Sequence, residues 1–192
     1  MKKSLLVFVL SVFILSGCGP ILGQFMGRGE GIKSFEVVSG QVPQFKAGAS
    51  ILVFGPFAKT ADAFYICRGE DAAKFSDEFS RHGLHSELYL AHGSAGRVTL
   101  AEAKKMSGAE LRTALGLTSP PDYLLSGTLT LRKMTVAPAR GVVMEEAYDL
   151  ELLDLRTQAT SRYRAAVKDL AQETIPDVAA ALVEKFGIAV KK

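Results

Sequence analysis

Between Tyr123 and Lys168 the chain alternates apolar and polar residues through three successive runs, and no other feature limits the fold so tightly. Leu125, Gly127, Leu129 and Leu131 fall on one face of the first run, with Ser126, Thr128, Thr130 and Arg132 on the other. A period of two marks a strand with one face in the core and one in water, and half-exposed strands of this kind belong to antiparallel sheets. Ala137-Pro138-Ala139-Arg140-Gly141 supplies turn residues, and a second strand follows from Val142 to Leu153 with Tyr148, Leu150 and Leu152 inward. A turn around Asp154 to Gln158 leads to a third strand, Thr160 to Lys168, with Tyr163, Ala165 and Val167 inward. A register that sets Asp149 opposite Arg164 also sets Glu151 opposite Arg162, and cross-strand pairs of opposite charge favour it.

The chain before this meander alternates strand and helix. Ile51-Leu52-Val53-Phe54 is apolar on both faces and stopped by Gly55-Pro56, the pattern of a central strand, while Phe35 to Val38 reads as an edge strand. From Gly69 to His82, Ala72, Phe75, Phe79 and His82 recur at helical spacing, with Glu70 and Asp71 in the first turn and Gly83 past the end. Leu84 to Ala91 reads as a strand. Thr99 and Glu102 form a capping box for a helix running to Leu115, ended by Gly116 and the Ser119-Pro120-Pro121-Asp122 turn. After the meander, Thr174 and Asp177 have capping-box spacing with Pro176 in the first turn, and Ile175, Val178, Ala179, Leu182, Val183 and Phe186 line the inward face of a last helix. The order β-α-β-α-β-β-β-α predicts an α/β fold in which a three-helix layer covers one face of a mixed, mostly antiparallel sheet. The other face is expected to be open, with Ser126, Thr128, Thr130, Arg132, Asp149, Glu151, Arg162 and Arg164 as the candidate partner-binding surface.

At the amino terminus Lys2 and Lys3 precede an apolar run from Leu5 to Leu15 and then Ser16, Gly17 and Cys18. A charged start, a short apolar core and small residues before the processing point fit a secretory signal peptide, and the core is too short for a membrane span. Leu15-Ser16-Gly17-Cys18 resembles the bacterial lipobox, which implies cleavage before Cys18 and acyl chains attached to it. Each buried methylene contributes about 0.8 kcal/mol, so two or three acyl chains hold a domain on a bilayer almost permanently. Gly19 after the cysteine, by resemblance to enterobacterial lipoproteins, favours sorting to the outer membrane. The expected organisation is a signal peptide over 1–17, a Gly-rich lipidated tether over 18–34 and one periplasm-facing domain over 35–192. Losing Lys2 and Lys3 lowers the net charge from +3 to +1, which gives no electrostatic case for nucleic acid. With Cys18 acylated, Cys67 has no partner for an intramolecular disulfide and reads as a small buried hydrophobe.

The residue types that carry chemistry do not assemble into a catalytic pattern. Ser94, in His92-Gly93-Ser94-Ala95-Gly96, sits between a strand and a helix as a hydrolase nucleophile would. His92 stands where glycine is needed, however, the helix starts only at Thr99, and no histidine follows Ser94. Cys67, His82, His85 and His92 are metal-ligand types, yet His85 and His92 on one strand face opposite sides, about 23 Å apart at ~3.3 Å per residue. Glu145-Glu146 lies beside a hairpin turn, and Asp149 with Glu151 lies on the solvated face opposite arginines. No enzyme activity, cofactor or metal is therefore expected. The alternative reading is a small-ligand or anion-binding protein using backbone amides of the His92–Arg97 loop.

Ile51-Leu52-Val53-Phe54-Gly55-Pro56-Phe57, the helix ending Arg81-His82-Gly83-Leu84, Pro121-Asp122-Tyr123-Leu124-Leu125-Ser126-Gly127-Thr128 and Leu152-Leu153-Asp154-Leu155-Arg156-Thr157 together resemble a small periplasmic domain. It is shared by the curli secretion lipoprotein, the TolB amino-terminal domain, lipoprotein activators of peptidoglycan synthases and the Pel polysaccharide export lipoprotein. The resemblance, over about residues 35 to 187, implies a non-enzymatic outer-membrane lipoprotein that binds an envelope protein or associates with itself as part of an assembly or export system. The short Val136 to Val142 connection leaves no room for membrane-spanning hairpins of about 10 residues per strand, which argues against a pore.

Overall fold

The computed structural model describes residues 31–43, 45–46, 48–63, 70–91, 98–137 and 141–186. Its strands are β1 (Gly31–Ser39), β2 (Ser50–Gly55), β3 (Ala58–Lys59), β4 (His85–Leu90), β5 (Tyr123–Ala137), β6 (Gly141–Asp154) and β7 (Thr160–Leu170). The helices are α1 (Glu70–Arg81), α2 (Leu100–Ala103), α3 (Gly108–Leu115) and α4 (Thr174–Lys185). Six strands lie in the order β1-β7-β6-β5-β2-β4, and β3 pairs with β5 farther along than β2 does. β2 runs parallel to β4 and β5, whereas β5, β6, β7 and β1 are successively antiparallel. The mixed, mostly antiparallel sheet is the one the alternating runs predict. Asp149 opposes Arg164 and Glu151 opposes Arg162, in the register that charge pairing favours.

The helices divide between the two faces instead of forming one layer. Ile51 and Val53 of β2 enter a large core with Phe75 and Phe79 of α1 and with Val178, Leu182 and Val183 of α4. Leu52 and Phe54 point the other way, into a smaller core with Ala103 of α2, Leu111 of α3, Leu124 and Leu153. The cause lies in β2 itself, since a strand apolar on both faces needs cover on both. Only the far half of the second face, over β6, β7 and β1, stays open. At the centre of the large core the Phe75 ring meets Tyr148 edge-on, with centroids 5.6 Å apart and planes at 84°.

Three local expectations change. The helix expected from Thr99 to Leu115 is two helices, because Ser107 caps a second one: its hydroxyl accepts from the Glu110 amide while the Ser107 amide donates to Glu110 Oε2 at 2.7 Å. The Thr99 and Glu102 box is present as expected. At α4 the Thr174 and Asp177 box does not form. The chain enters this helix with Glu173 already at helical angles, so Glu173 occupies the cap position with no side-chain cap bond, and Thr174 becomes a buried first-turn residue. Finally, β1 begins at Gly31, so residues 31–34 belong to the sheet and not to the tether.

Candidate functional site: a trough beside the open half of the sheet

Odd-numbered positions of β6 and even-numbered positions of β7 project from the open half, and pairing with β5 and β1 extends them into two rows across four strands. One row reads Thr128, Asp149, Arg164 and Glu36; the next reads Ser126, Glu151, Arg162 and Ser39. Arg164 Nε donates to Asp149 Oδ1 at 3.0 Å and Arg162 Nε to Glu151 Oε2 at 3.0 Å. Lys104 reaches across from beside α2 and places Nζ 2.6 Å from Glu151 Oε1. Partial burial pushes the Glu151 carboxyl upward, but the bonds from Lys104 and Arg162 outweigh it and hold the group below its ordinary range.

The β5, β6 and β7 members of these rows form the floor of a trough of about 760 Å³. Its wall is apolar, built from Phe54 and Pro56 at the end of β2 together with Ala91, Val98 and Leu100. Gly127 sits in the floor because a Cβ there would lie 2.9 Å from both Phe57 and Leu150, so only glycine admits the Phe57 ring beneath the strand. Arg162 and Arg164 are clamped through Nε and remain more than half exposed, at 63% and 54%, which leaves their Nη groups to solvent or to a partner.

Six of the eight residues expected on the open face therefore come together: Ser126, Thr128, Asp149, Glu151, Arg162 and Arg164 line the trough. Thr130 and Arg132 do not. Thr130 is an extra residue in β5, since Leu129 pairs with Tyr148 and Leu131 with Ala147, and this bulge reverses the alternation beyond it. Arg132 consequently turns to the opposite face, where it is 8% exposed. There its Nε donates to Glu146 Oε1 at 2.5 Å and its Nη2 donates to both Asp71 oxygens at 2.8 Å, while the Tyr148 hydroxyl donates to Glu146 Oε2 at 2.8 Å. Burial raises the Asp71 carboxyl above its ordinary range despite Arg132. Burial opposes the Arg132 charge, but Asp71 and Glu146 overcome it and hold the guanidinium above its ordinary range.

Cys18, Cys67 and the His92–Arg97 loop lie outside the described residues. Among the described residues, no three His, Cys, Asp or Glu side chains are grouped as metal ligands would be, and no helix is long and apolar enough to cross a membrane.

No protein-family profile matches the chain, and no curated protein matches it. Solved structures do. A leucine-to-methionine variant of PelC from Paraburkholderia phytofirmans, crystallised as a dodecamer, superposes with a TM-score of 0.51 at 14% identity, covering 81% of this chain and 98% of that one. The fold is PelC-like. A second PelC dodecamer from the same organism gives a TM-score of 0.48 at 14% identity over 83% and 99% of the two chains. The hypothetical protein CT253 from Chlamydia trachomatis gives 0.31 at 19% identity over 64% and 72%.

Proposed function

We propose that this chain is a non-enzymatic scaffold of an envelope assembly, anchored to the outer membrane through lipid on Cys18 and engaging a partner protein or a neighbouring copy of itself through the trough. The observation that carries the reading is the trough's construction. Its charges are already paired and fixed on rigid strands, so a partner meets an ordered polar surface and loses little to side-chain ordering on binding. The likeness to PelC supports it: nearly the whole length of that chain is spanned, and PelC was crystallised as a dodecamer. The lipobox at Leu15 to Cys18 supports the location.

The test is a pair of charge reversals, Arg162→Glu with Arg164→Glu, in cells treated with a short crosslinker. Each reversal loses an exposed ion pair worth ~0–1 kcal/mol and sets like charges opposite each other at a comparable cost, so the fold is expected to be retained, with circular dichroism as the check. The expected result is loss of the crosslinked species, whether self-associated or joined to another protein. Normal crosslinking by the doubly substituted, folded protein overturns the assignment of the trough.

A further inference from the structure

Strand pairing fixes which parts of the sheet lie at the same end. Gly31 of β1 pairs with Lys168, Lys168 with Glu145 and Glu145 with Lys133, so the chain enters the sheet level with Lys133 of β5. Beyond that level β5 and β6 run on to the tip of their hairpin, pairing Met134 with Met144 and Val136 with Val142. Directly opposed residues share a face. The bulge at Thr130 turns Arg132 to the large-core face and Met134 and Val136 with it, so these four apolar side chains form a block just outside the Arg132 cluster. None of the four belongs to either core. Val136 at 70% and Met134 at 53% are the two most exposed large apolar side chains among the described residues, and Ile32, exposed on the same face, sits one row in from Gly31.

We propose, on the reading that Cys18 carries the lipid, that the tip of the β5–β6 hairpin rests on the same bilayer, with Met134, Val136, Val142 and Met144 entering the boundary between headgroups and acyl chains. The length of chain ahead of β1 is what names this occupant. Residues 19–30 separate Cys18 from Gly31, and a chain of that length reaches at most about 40 Å. From Gly31 the tip lies three strand spacings of about 4.8 Å across the sheet and four residues of ~3.3 Å along it, or about 20 Å away. The anchor therefore keeps the bilayer within reach of the apolar block, and tethering makes a weak contact count by holding its effective concentration high.

The contact stops at the surface, because the residues beyond Lys133 are too few for a spanning strand of about 9–11. It is apolar and not electrostatic. Lys133 and Lys168 flank Glu145 in one row, and Asp169 lies opposite Met144, so the charges at this end nearly cancel. Two well-exposed side chains are also too small a surface to hold the domain without the lipid. Their role is orientation: anchor and tip together give the domain two points of attachment, which fixes the direction in which the trough is presented.

Methionine methyl NMR tests this without any substitution. Met134 and Met144 lie in the block, whereas Met106 comes two residues before Gly108, which packs on the Pro121 carbonyl just ahead of β5, roughly 35 Å from Met134 at ~3.3 Å per residue. The full chain, its acylation at Cys18 verified by mass spectrometry, is placed in phosphatidylcholine nanodiscs with and without a nitroxide on the lipid headgroups. The nitroxide is expected to abolish the Met134 and Met144 methyl signals and spare that of Met106, and discs containing phosphatidylglycerol should give the same result. Met134→Gln with Val136→Thr should keep the urea midpoint and restore the Met144 signal. Retained Met134 and Met144 signals in the acylated chain, or equal loss at Met106, overturn the tip contact and leave the anchor standing; a chain without acyl groups on Cys18 removes both. Loss confined to anionic discs overturns the apolar contact. The wild-type measurement decides the matter even if the variant fails to fold.

Discussion

Arg132 is the residue on which one side of the large core depends. It stands between Asp71 at the start of α1 and Glu146 on β6, 4% exposed in its side chain, and ties helix to sheet by charged bonds in a space that excludes water. Such a cluster adds little against a well-packed apolar replacement, but removing one member leaves buried charge behind. Arg132→Met should therefore cost about 3–5 kcal/mol in urea unfolding. Adding Asp71→Asn and Glu146→Gln to that variant should recover part of the loss, and failure to recover any would show that packing rather than charge is at stake. Tyr148→Phe removes the donor to Glu146 Oε2 and should cost about 1–3 kcal/mol by the same measurement. The sequence hides this cluster because one inserted residue, Thr130, moves Arg132 to the other face, and a bulge inside an otherwise clean alternation leaves no mark on the pattern itself.

At the scale of elements, the β6–β7 hairpin was legible down to its register because the charges of Asp149 and Glu151 match those of Arg164 and Arg162 across it. The helix break was also written in the chain, as Ser107 with Glu110 repeats the capping spacing of Thr99 with Glu102, but continuous helical periodicity masks it. What could not be read was the close approach of α3 to the turn before β5. A Cβ on Gly108 would lie 2.2 Å from the Pro121 carbonyl oxygen, a backbone atom with no freedom to withdraw. Gly108→Ala should thus lower the unfolding midpoint, although helix propensity alone favours alanine by about 1 kcal/mol. The trough adds a pH test. Glu151 lies below its ordinary range of 4.5, so its contribution is present at neutral pH and fades as pH falls below that value. Glu151→Gln should accordingly be less stable than the wild type near neutrality, with the gap closing in acid; a gap independent of pH would assign the effect to shape instead.

For the whole molecule, the alternating pattern sets the pairing within the meander but not which side each helix takes, since either face of a doubly apolar β2 can accept an amphipathic helix. That choice creates the trough: α2 and α3 cover the β2 end of the second face and stop there, turning a flat polar sheet into a floor with one apolar wall. It also separates two parts of the proposed function. Among the described residues both cores are built by the strands and helices of the sheet domain, and the proposed anchor at Cys18 is expected to be dispensable for folding. Cys18→Ser is expected to keep the wild-type unfolding midpoint while the protein moves from the membrane fraction to the soluble fraction after export. The trough variant Arg162→Glu with Arg164→Glu should do the converse, staying with the membrane while losing its crosslinked partner. If Cys18→Ser remains with the membrane, the domain holds to the bilayer by its own surface or through its partner, and the lipid is not the anchor on which the scaffold depends.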